Sequence, residues 1–189
     1  MIKLRLISLA LAMLIAAPMG AQTAPPSATS ATYGNWTVIC VDAAVPGSAT
    51  LQKVCQMTTK LNLQGNDGQL RPLLEIAIGV PPGGDAPRMV VQVPIDVALR
   101  EALVVSIDAD KTDAAPRPQT DLVTASYFAC TPAGCIADTL VKPDVMAALK
   151  LAKTTNVTFS ALAGTKKITV PVEMTGFGDA LAALGLSAP

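Results

Sequence analysis

Four cysteines are the residues of this 189-residue chain whose type and spacing could most directly do chemistry. Cysteines in an oxidising compartment form structural disulfides, and four of them allow three pairings. The pairing of Cys40 with Cys55 and of Cys130 with Cys135 is favoured, because each pair joins two neighbouring predicted strands. A redox role is the alternative. However, four residues separate Cys130 from Cys135, whereas a redox C-x-x-C motif has two.

Histidine is absent from the sequence. This absence excludes Ser-His-Asp and Cys-His catalysis as usually built, histidine general bases and most zinc sites. The proline- and glycine-rich segment 81–87 lacks the G-x-G-x-x-G spacing, the lysine and the following helix of a phosphate-binding loop, so a plain connecting loop is predicted there. The sequence therefore assigns no catalytic, cofactor-binding or metal-binding residue and implies no cofactor.

Carboxylates offer the remaining route to enzymatic chemistry. Asp96, Glu101, Asp108 and Asp110 lie close together in the chain, and a glycosidase needs two carboxyl groups about 5 to 9 Å apart across a cleft. Residues 108–113 also resemble the start of a calcium loop, but Gly and Glu are missing from the EF-hand positions that require them. A solvated acidic loop is therefore predicted for this segment.

The elements that must position these residues are mostly short strands. Alternating apolar and polar residues predict strands over 36–40, 53–63, 73–80, 88–95, 103–107, 123–128, 136–140, 156–162 and 166–174. Helical spacing and end signals predict helices over 143–152 and 180–184. Cys130 and Cys135 fall in one short turn with Pro132 and Gly134, between two apolar strands. The predicted fold class is mainly β, an antiparallel β-sandwich of about nine short strands with two short helices.

The N-terminus has the pattern of a secretory signal peptide. Lys3 and Arg5 precede an uncharged apolar run that is too short to span a membrane, and small residues follow it. The prediction is a signal peptide over 1–21, cleaved after Ala21. Residues 22–32 lack an apolar period and are predicted to be a flexible leader. A single β-sandwich domain is predicted for 33–189.

The charge of the exported part limits the classes of partner. Cleavage removes two of the 14 basic residues and no acid, which leaves 12 basic against 14 acidic residues and a net charge of −2. This balance gives no reason to expect nucleic-acid binding. No second apolar run approaches eighteen residues, so no transmembrane span is predicted in the mature chain.

Several segments resemble one known family. They are Y-G-N-W-T-V-I-C at 33–40, V-C-Q-M at 54–57, F-A-C-T-P-A-G-C-I-A at 128–137 and V-P-V-E-M-T-G-F-G-D-A-L at 170–181. Together they resemble the invasion-associated locus B family of exported alphaproteobacterial proteins, over nearly all of the mature chain. Residues 95–101 depart from the glycine or proline turn that is frequent there in the family.

The resemblance implies an exported, disulfide-bonded β-domain that is periplasmic, outer-membrane associated or secreted. Some pathogenic relatives assist invasion of host cells, and the family offers no catalytic residues to carry over. The leading hypothesis is a non-enzymatic envelope protein that binds another protein, of the envelope or of a host, or an envelope component. A carboxylate-based enzyme acting on a cell-wall glycan is the alternative, and a structural subunit or inhibitor is a third hypothesis. The oligomeric state is left open.

Overall fold

The computed structural model describes residues 28–186 apart from 45–46, 48–49, 108–119 and 163–165. The predicted signal peptide, the first part of the leader, and the acidic segment with Asp108 and Asp110 lie outside the described residues. The strands within the described part are β1 Ala28–Tyr33, β2 Trp36–Ala44, β3 Leu51–Gln64, β4 Leu70–Gly79, β5 Arg88–Val93, β6 Leu103–Ile107, β7 Thr120–Thr131, β8 Gly134–Leu140, β9 Thr154–Ser160 and β10 Lys167–Glu173. The helices are α1 Pro143–Leu151 and α2 Phe177–Ala183.

These strands form one continuous sheet in the order β1-β2-β3-β4-β5-β8-β7-β6-β9-β10. Each neighbouring pair is antiparallel. The long strand β7 connects the two halves, because its first part pairs with β6 and its second part with β8. The mainly β, antiparallel fold class with two helices predicted from the sequence is confirmed.

Alternation along the strands determines which face is buried. On β5, Met89, Val91 and Val93 are buried while the residues between them are only partly covered. Such a period of two places every second side chain on the same face of the sheet. The inward residues of both halves of the sheet, with apolar residues of both helices, form one hydrophobic cluster, so the bent sheet encloses its core in a sandwich-like arrangement.

Helix α2 closes this core where the first hairpin meets the end of the chain. Phe177 packs edge-on against Trp36, with the ring centroids 5.0 Å apart. The Asn35 amide donates a hydrogen bond to the Thr175 carbonyl oxygen at 3.0 Å. The backbones approach so closely that a Cβ on Gly34, whose φ is 55°, would lie 2.5 Å from the same oxygen. Glycine is therefore required at this crossing.

Strand β1, the number of strands and the start of helix α2 differ from the sequence-based expectation. Residues 28–33 form strand β1, although 22–32 was predicted to be a flexible leader; both faces of this edge strand are largely exposed, so it shows no apolar period. This strand raises the number of strands from about nine to ten. Helix α2 begins at Phe177 instead of 180, because Gly176 adopts a left-handed φ of 84° that turns the chain into the helix.

Both cysteine pairs are disulfides across neighbouring strands. Cys40 is bonded to Cys55, and these residues are direct partners in the β2–β3 register. Cys130 is bonded to Cys135, and this pair is likewise in register, on β7 and β8. The second pair therefore lies on strand ends and not in the turn itself. We call the two bonds the N-terminal disulfide and the hairpin disulfide.

Candidate functional site

The strand ends on one side of the sheet carry a group of exposed apolar side chains. The β3–β4 turn, the connection from β5 to β6, the β7–β8 turn and the end of β9 all lie on this side, as the antiparallel order of these strands requires. We call this group the apolar rim; its exposed members are Leu63, Leu70, Ile95, Leu99, Phe128 and Leu162. Soluble proteins rarely gather large exposed apolar side chains unless they mark an interaction site.

Hydrogen bonds hold the middle of the apolar rim in place. The Leu162 amide donates to the Asp96 carbonyl oxygen at 3.0 Å, and the Ala98 amide donates to the Ser160 carbonyl oxygen at 2.9 Å. Val97 forms an isolated antiparallel bridge with Ala161. The connection between β5 and β6 is therefore fixed against the end of β9, which presents Ile95, Leu99 and Leu162 from an ordered backbone.

The hairpin disulfide fixes the adjacent part of the apolar rim. The Cys135 sulfur lies 3.7 Å from the Ile95 carbonyl oxygen, and the Gln92 side-chain amide donates to the Ala133 carbonyl oxygen at 3.1 Å. These contacts connect the β7–β8 turn to the end of β5. A binding surface that is already ordered loses less conformational entropy when a partner docks.

Phe128 is the largest side chain of the apolar rim and is 64% exposed. It lies where the register between β7 and β8 shifts, between Tyr127 and Ala129. A β-bulge inserts one extra residue and redirects the side chains next to it. The residues just before the bulge follow the normal alternation, in which Ser126 and Phe128 are exposed and Ala125 is buried, so the Phe128 ring lies on the solvent face of β7.

Two open clefts lie at the opposite strand ends. One, of about 380 Å³, is bordered by Lys53, Cys55, the segment 81–84 and two leucines after α2. The other, of about 300 Å³, lies between β7, β8 and the start of α1. It contains the exposed carboxylates Asp121 and Asp144. Each cleft has a volume in the range of small-molecule binding sites.

Of the carboxylates singled out in the sequence, the two that the structure describes, Asp96 and Glu101, line neither cleft. Asp96 and Glu101 both lie on the connection between β5 and β6, beside the apolar rim. The Glu101 carboxylate accepts a hydrogen bond from the buried Ser160 hydroxyl, which fixes the end of β9. Glu101 thus has a structural contact, and Asp108 and Asp110 lie outside the described residues.

Other groups that could do chemistry are few in the described part of the chain. Burial raises the pKa of Tyr127 to about 12, so its hydroxyl stays protonated at neutral pH. No cluster of three or more His, Cys, Asp or Glu side chains able to hold a metal ion occurs among residues 28–44, 50–107, 120–162 and 166–186. Within those same ranges, no helix is both long and apolar enough to cross a membrane.

The apolar rim was not anticipated from the sequence. The four disulfide cysteines were predicted from the sequence. The structure places one pair next to the apolar rim and the other near the larger cleft. Ile95 stands at the end of the strand predicted over 88–95, Leu99 in the segment between that strand and the next, and Phe128 in the strand predicted over 123–128. Large apolar residues within turn segments are the signal that could have indicated such a surface.

The fold and these surfaces define a class of protein, a disulfide-linked antiparallel β-domain with an exposed apolar rim. The model of the Invasion associated locus B (IalB) protein family matches residues 36–185, and the chain belongs to this family. The resemblance stated from the sequence is therefore confirmed. No curated protein matches the chain.

A solved structure has the same fold. The crystal structure of invasion associated protein B from Bartonella henselae superimposes with a TM-score of 0.62 at 20% sequence identity. The match covers 82% of this chain and 94% of that chain. At this identity the similarity concerns the fold alone.

Proposed function

We propose that this protein is an exported, non-enzymatic envelope protein that binds another protein through the apolar rim. The observation that carries the proposal is the group of exposed apolar side chains on an ordered backbone. Phe128 and Leu162 are 64% and 66% exposed, and fixed contacts hold the segments that carry Ile95 and Leu162. Interfaces are enriched in aromatic anchors of this kind.

The chemistry of the cysteines and the family support an exported location. Disulfides form and persist in oxidising compartments such as the periplasm and the extracellular space, and both cysteine pairs are bonded. The family match supports export. We infer that the protein acts in the periplasm, at the outer membrane or outside the cell, after cleavage of residues 1–21. The partner we infer is a protein of the envelope or of a host.

The test is crosslinking in intact cells, followed by identification of the captured protein. Three chains are compared, namely the native protein, the double variant Ile95→Ser/Phe128→Ser and the control Leu151→Ser. Leu151 is 85% exposed but lies on α1, away from the apolar rim. We expect capture by the rim variant to fall about tenfold or more, as for the loss of two interface contacts. Equal capture by all three proteins would refute the assignment of the surface.

An enzyme acting on a cell-wall glycan is the second candidate. The observation in its favour is the cleft that contains Asp121 and Asp144, since glycoside hydrolysis uses two carboxyl groups across a cleft. Purified protein is incubated with peptidoglycan, and the products are analysed by mass spectrometry. Hydrolysis that is abolished by Asp121→Asn or Asp144→Asn would replace the proposal of a non-enzymatic binding protein.

A further inference from the structure

The two edge strands of the sheet differ in their chemistry. Strands β1 and β10 stand at the ends of the sheet order, so each has one neighbour among the described strands. The outer edge of such a strand presents unpaired N–H and C=O groups that can pair with another strand. Natural proteins block these edges with proline, charged side chains or short strands.

Strand β10 has a blocked outer edge. The Ala161 amide donates to the Lys166 carbonyl oxygen at 3.1 Å, and the Met174 amide donates to the Lys153 carbonyl oxygen at 2.9 Å. Backbone groups alternate in direction along an antiparallel strand, so the even-numbered residues of β10 pair with β9 and the odd-numbered ones face outward. The outward residues are two charged residues, a threonine and a proline without an N–H, namely Lys167, Thr169, Pro171 and Glu173.

Strand β1 has an outer edge that no other described strand covers. The Cα atoms of Cys40 and Cys55 are only 4.0 Å apart, the close spacing of a pair without ladder hydrogen bonds. The backbone groups of Cys40 therefore point away from β3 and towards its β1 partner, Thr29. By alternation, Ala28, Ser30 and Thr32 direct their N–H and C=O groups to the outer edge. Residues 28–32 are exposed and include neither proline nor a charged residue.

We propose that β1 pairs with β1 of a second copy of this chain, antiparallel and centred on Ser30. This register places Ser30 opposite Ser30 of the second copy and Ala28 opposite Thr32, so that all three outward-facing residues of each strand are paired. The pairing would form about six backbone hydrogen bonds. The side chains that meet are small and uncharged, and hydroxyl pairs across strands are favourable.

The blocked edge of β10 determines how this association ends. If both edges were open, β1 of one copy could pair with β10 of the next, and the chain would assemble into filaments. Pro171 and the charged residues Lys167 and Glu173 oppose that contact. The β1–β1 pairing is its own two-fold complement and closes as a dimer, which is why a second copy is the occupant that the two edges favour. The dimer would form whether or not the proposed binding partner is present.

Thiol crosslinking tests the pairing and its register. Residues facing each other in a hydrogen-bonded pair have Cα atoms about 5.5 Å apart, within disulfide range. Mature Ser30→Cys protein with both native disulfides, checked by peptide mapping, should form about tenfold more covalent dimer under mild oxidation than Thr169→Cys, its control on the blocked edge. Comparable yields from the two variants would overturn the proposal. A higher yield from Thr29→Cys than from Ser30→Cys would overturn the register.

A second measurement avoids the added cysteine. Sedimentation velocity on the native mature protein should show a dimer whose fraction rises with concentration. Ser30→Lys places two like charges at the centre of the interface and should shift the protein to monomer. Thr169→Lys, which adds the same charge on β10, should leave the dimer fraction unchanged. A native protein that stays monomeric, or a dimer that persists in Ser30→Lys, would overturn the proposal.

Discussion

The contact between Trp36 and Phe177 is the point at which we expect the core to be most sensitive. Both side chains are 1% exposed, and their rings meet nearly at right angles, at 81°. Phe177→Ala removes a buried ring and leaves a cavity beside the single tryptophan. Substitutions of this kind lower the free energy of unfolding by about 3 to 5 kcal/mol, of which the aromatic pair contributes about 0.5 to 1.5 kcal/mol.

The matched control is Phe128→Ala, which removes the same ring from a position that is 64% exposed. We expect it to change the free energy of unfolding by no more than about 0.5 kcal/mol. In urea, with a slope of about 2 kcal/mol/M, Phe177→Ala should lower the unfolding midpoint by about 2 M and Phe128→Ala by at most about 0.3 M. Tryptophan fluorescence follows the transition directly, because Trp36 lies at the altered contact.

Either of two outcomes would contradict this prediction. Similar midpoint shifts for the two variants would mean that burial does not distinguish the two rings. A loss of less than about 1 kcal/mol for Phe177→Ala, at an unchanged slope, would mean that α2 packs onto the sheet without sealing the core. With total stabilities of about 5 to 15 kcal/mol for natural domains, the expected loss is large enough to measure reliably.

Three further predictions concern the disulfides, the backbone crossing and the buried phenol. The N-terminal disulfide closes a separation of 15 residues and the hairpin disulfide one of 5. Replacing both cysteines of the first by alanine should therefore lower the urea midpoint more than replacing both cysteines of the second. Chain entropy predicts losses in the free energy of unfolding of about 3 and about 2 kcal/mol, respectively. Gly176→Ala should lower the free energy of unfolding in urea by about 2 kcal/mol or more, because a Cβ there would collide with the Tyr33 carbonyl oxygen. Its control, Gly185→Ala, has a φ of 71° and open space around the new Cβ, so it should lower that free energy by about 1 kcal/mol. The folded protein holds the pKa of Tyr127 at about 12 against an ordinary 10.0. The contribution of Tyr127 to the free energy of unfolding is therefore fully present below about pH 10 and is lost as the pH rises towards 12. Tyr127→Phe should remove this part of the pH dependence.

The strands could be predicted where one face of the sheet is buried. On β4, Leu74, Ile76 and Ile78 alternate with less buried residues, and this period is visible in the sequence. Strand β1 could not be predicted in this way, because it forms through backbone pairing with β2 while its side chains face solvent. Its hydrogen bonds depend on the neighbouring edge and not on an apolar pattern.

The order of the strands in the sheet could not be predicted from the sequence, for a different reason. The ion pair between Arg88 and Asp138 joins residues 50 positions apart, across strands β5 and β8, which are not consecutive in the chain. Local periodicity carries no information about such pairings. It therefore predicts the class of the fold but not how β7 connects its two halves.

The candidate binding surface was hidden for the same reason. Ile95 and Leu162 are distant in sequence, and their segments lie together through backbone hydrogen bonds such as that from the Leu162 amide to the Asp96 carbonyl oxygen. Alternation predicts the strand that carries Phe128, but it does not reveal that this residue lies at the same strand ends as Ile95 and Leu162. By contrast, the cysteine pairing could be predicted from the sequence, because both pairs join strands that follow each other directly in the chain.

The proposed dimer has a consequence for the proposed binding function. Strand β1 runs along the sheet between the two sets of strand ends, and an antiparallel β1–β1 pair reverses one copy relative to the other. The apolar rim of one copy would then face one way along the strands, and that of its partner the opposite way. Two rims that point apart cannot engage one small partner together, so they would add no avidity for it. They could instead join two partner molecules on opposite sides of the dimer, which suits a protein that links components of an envelope better than one that clamps a single ligand.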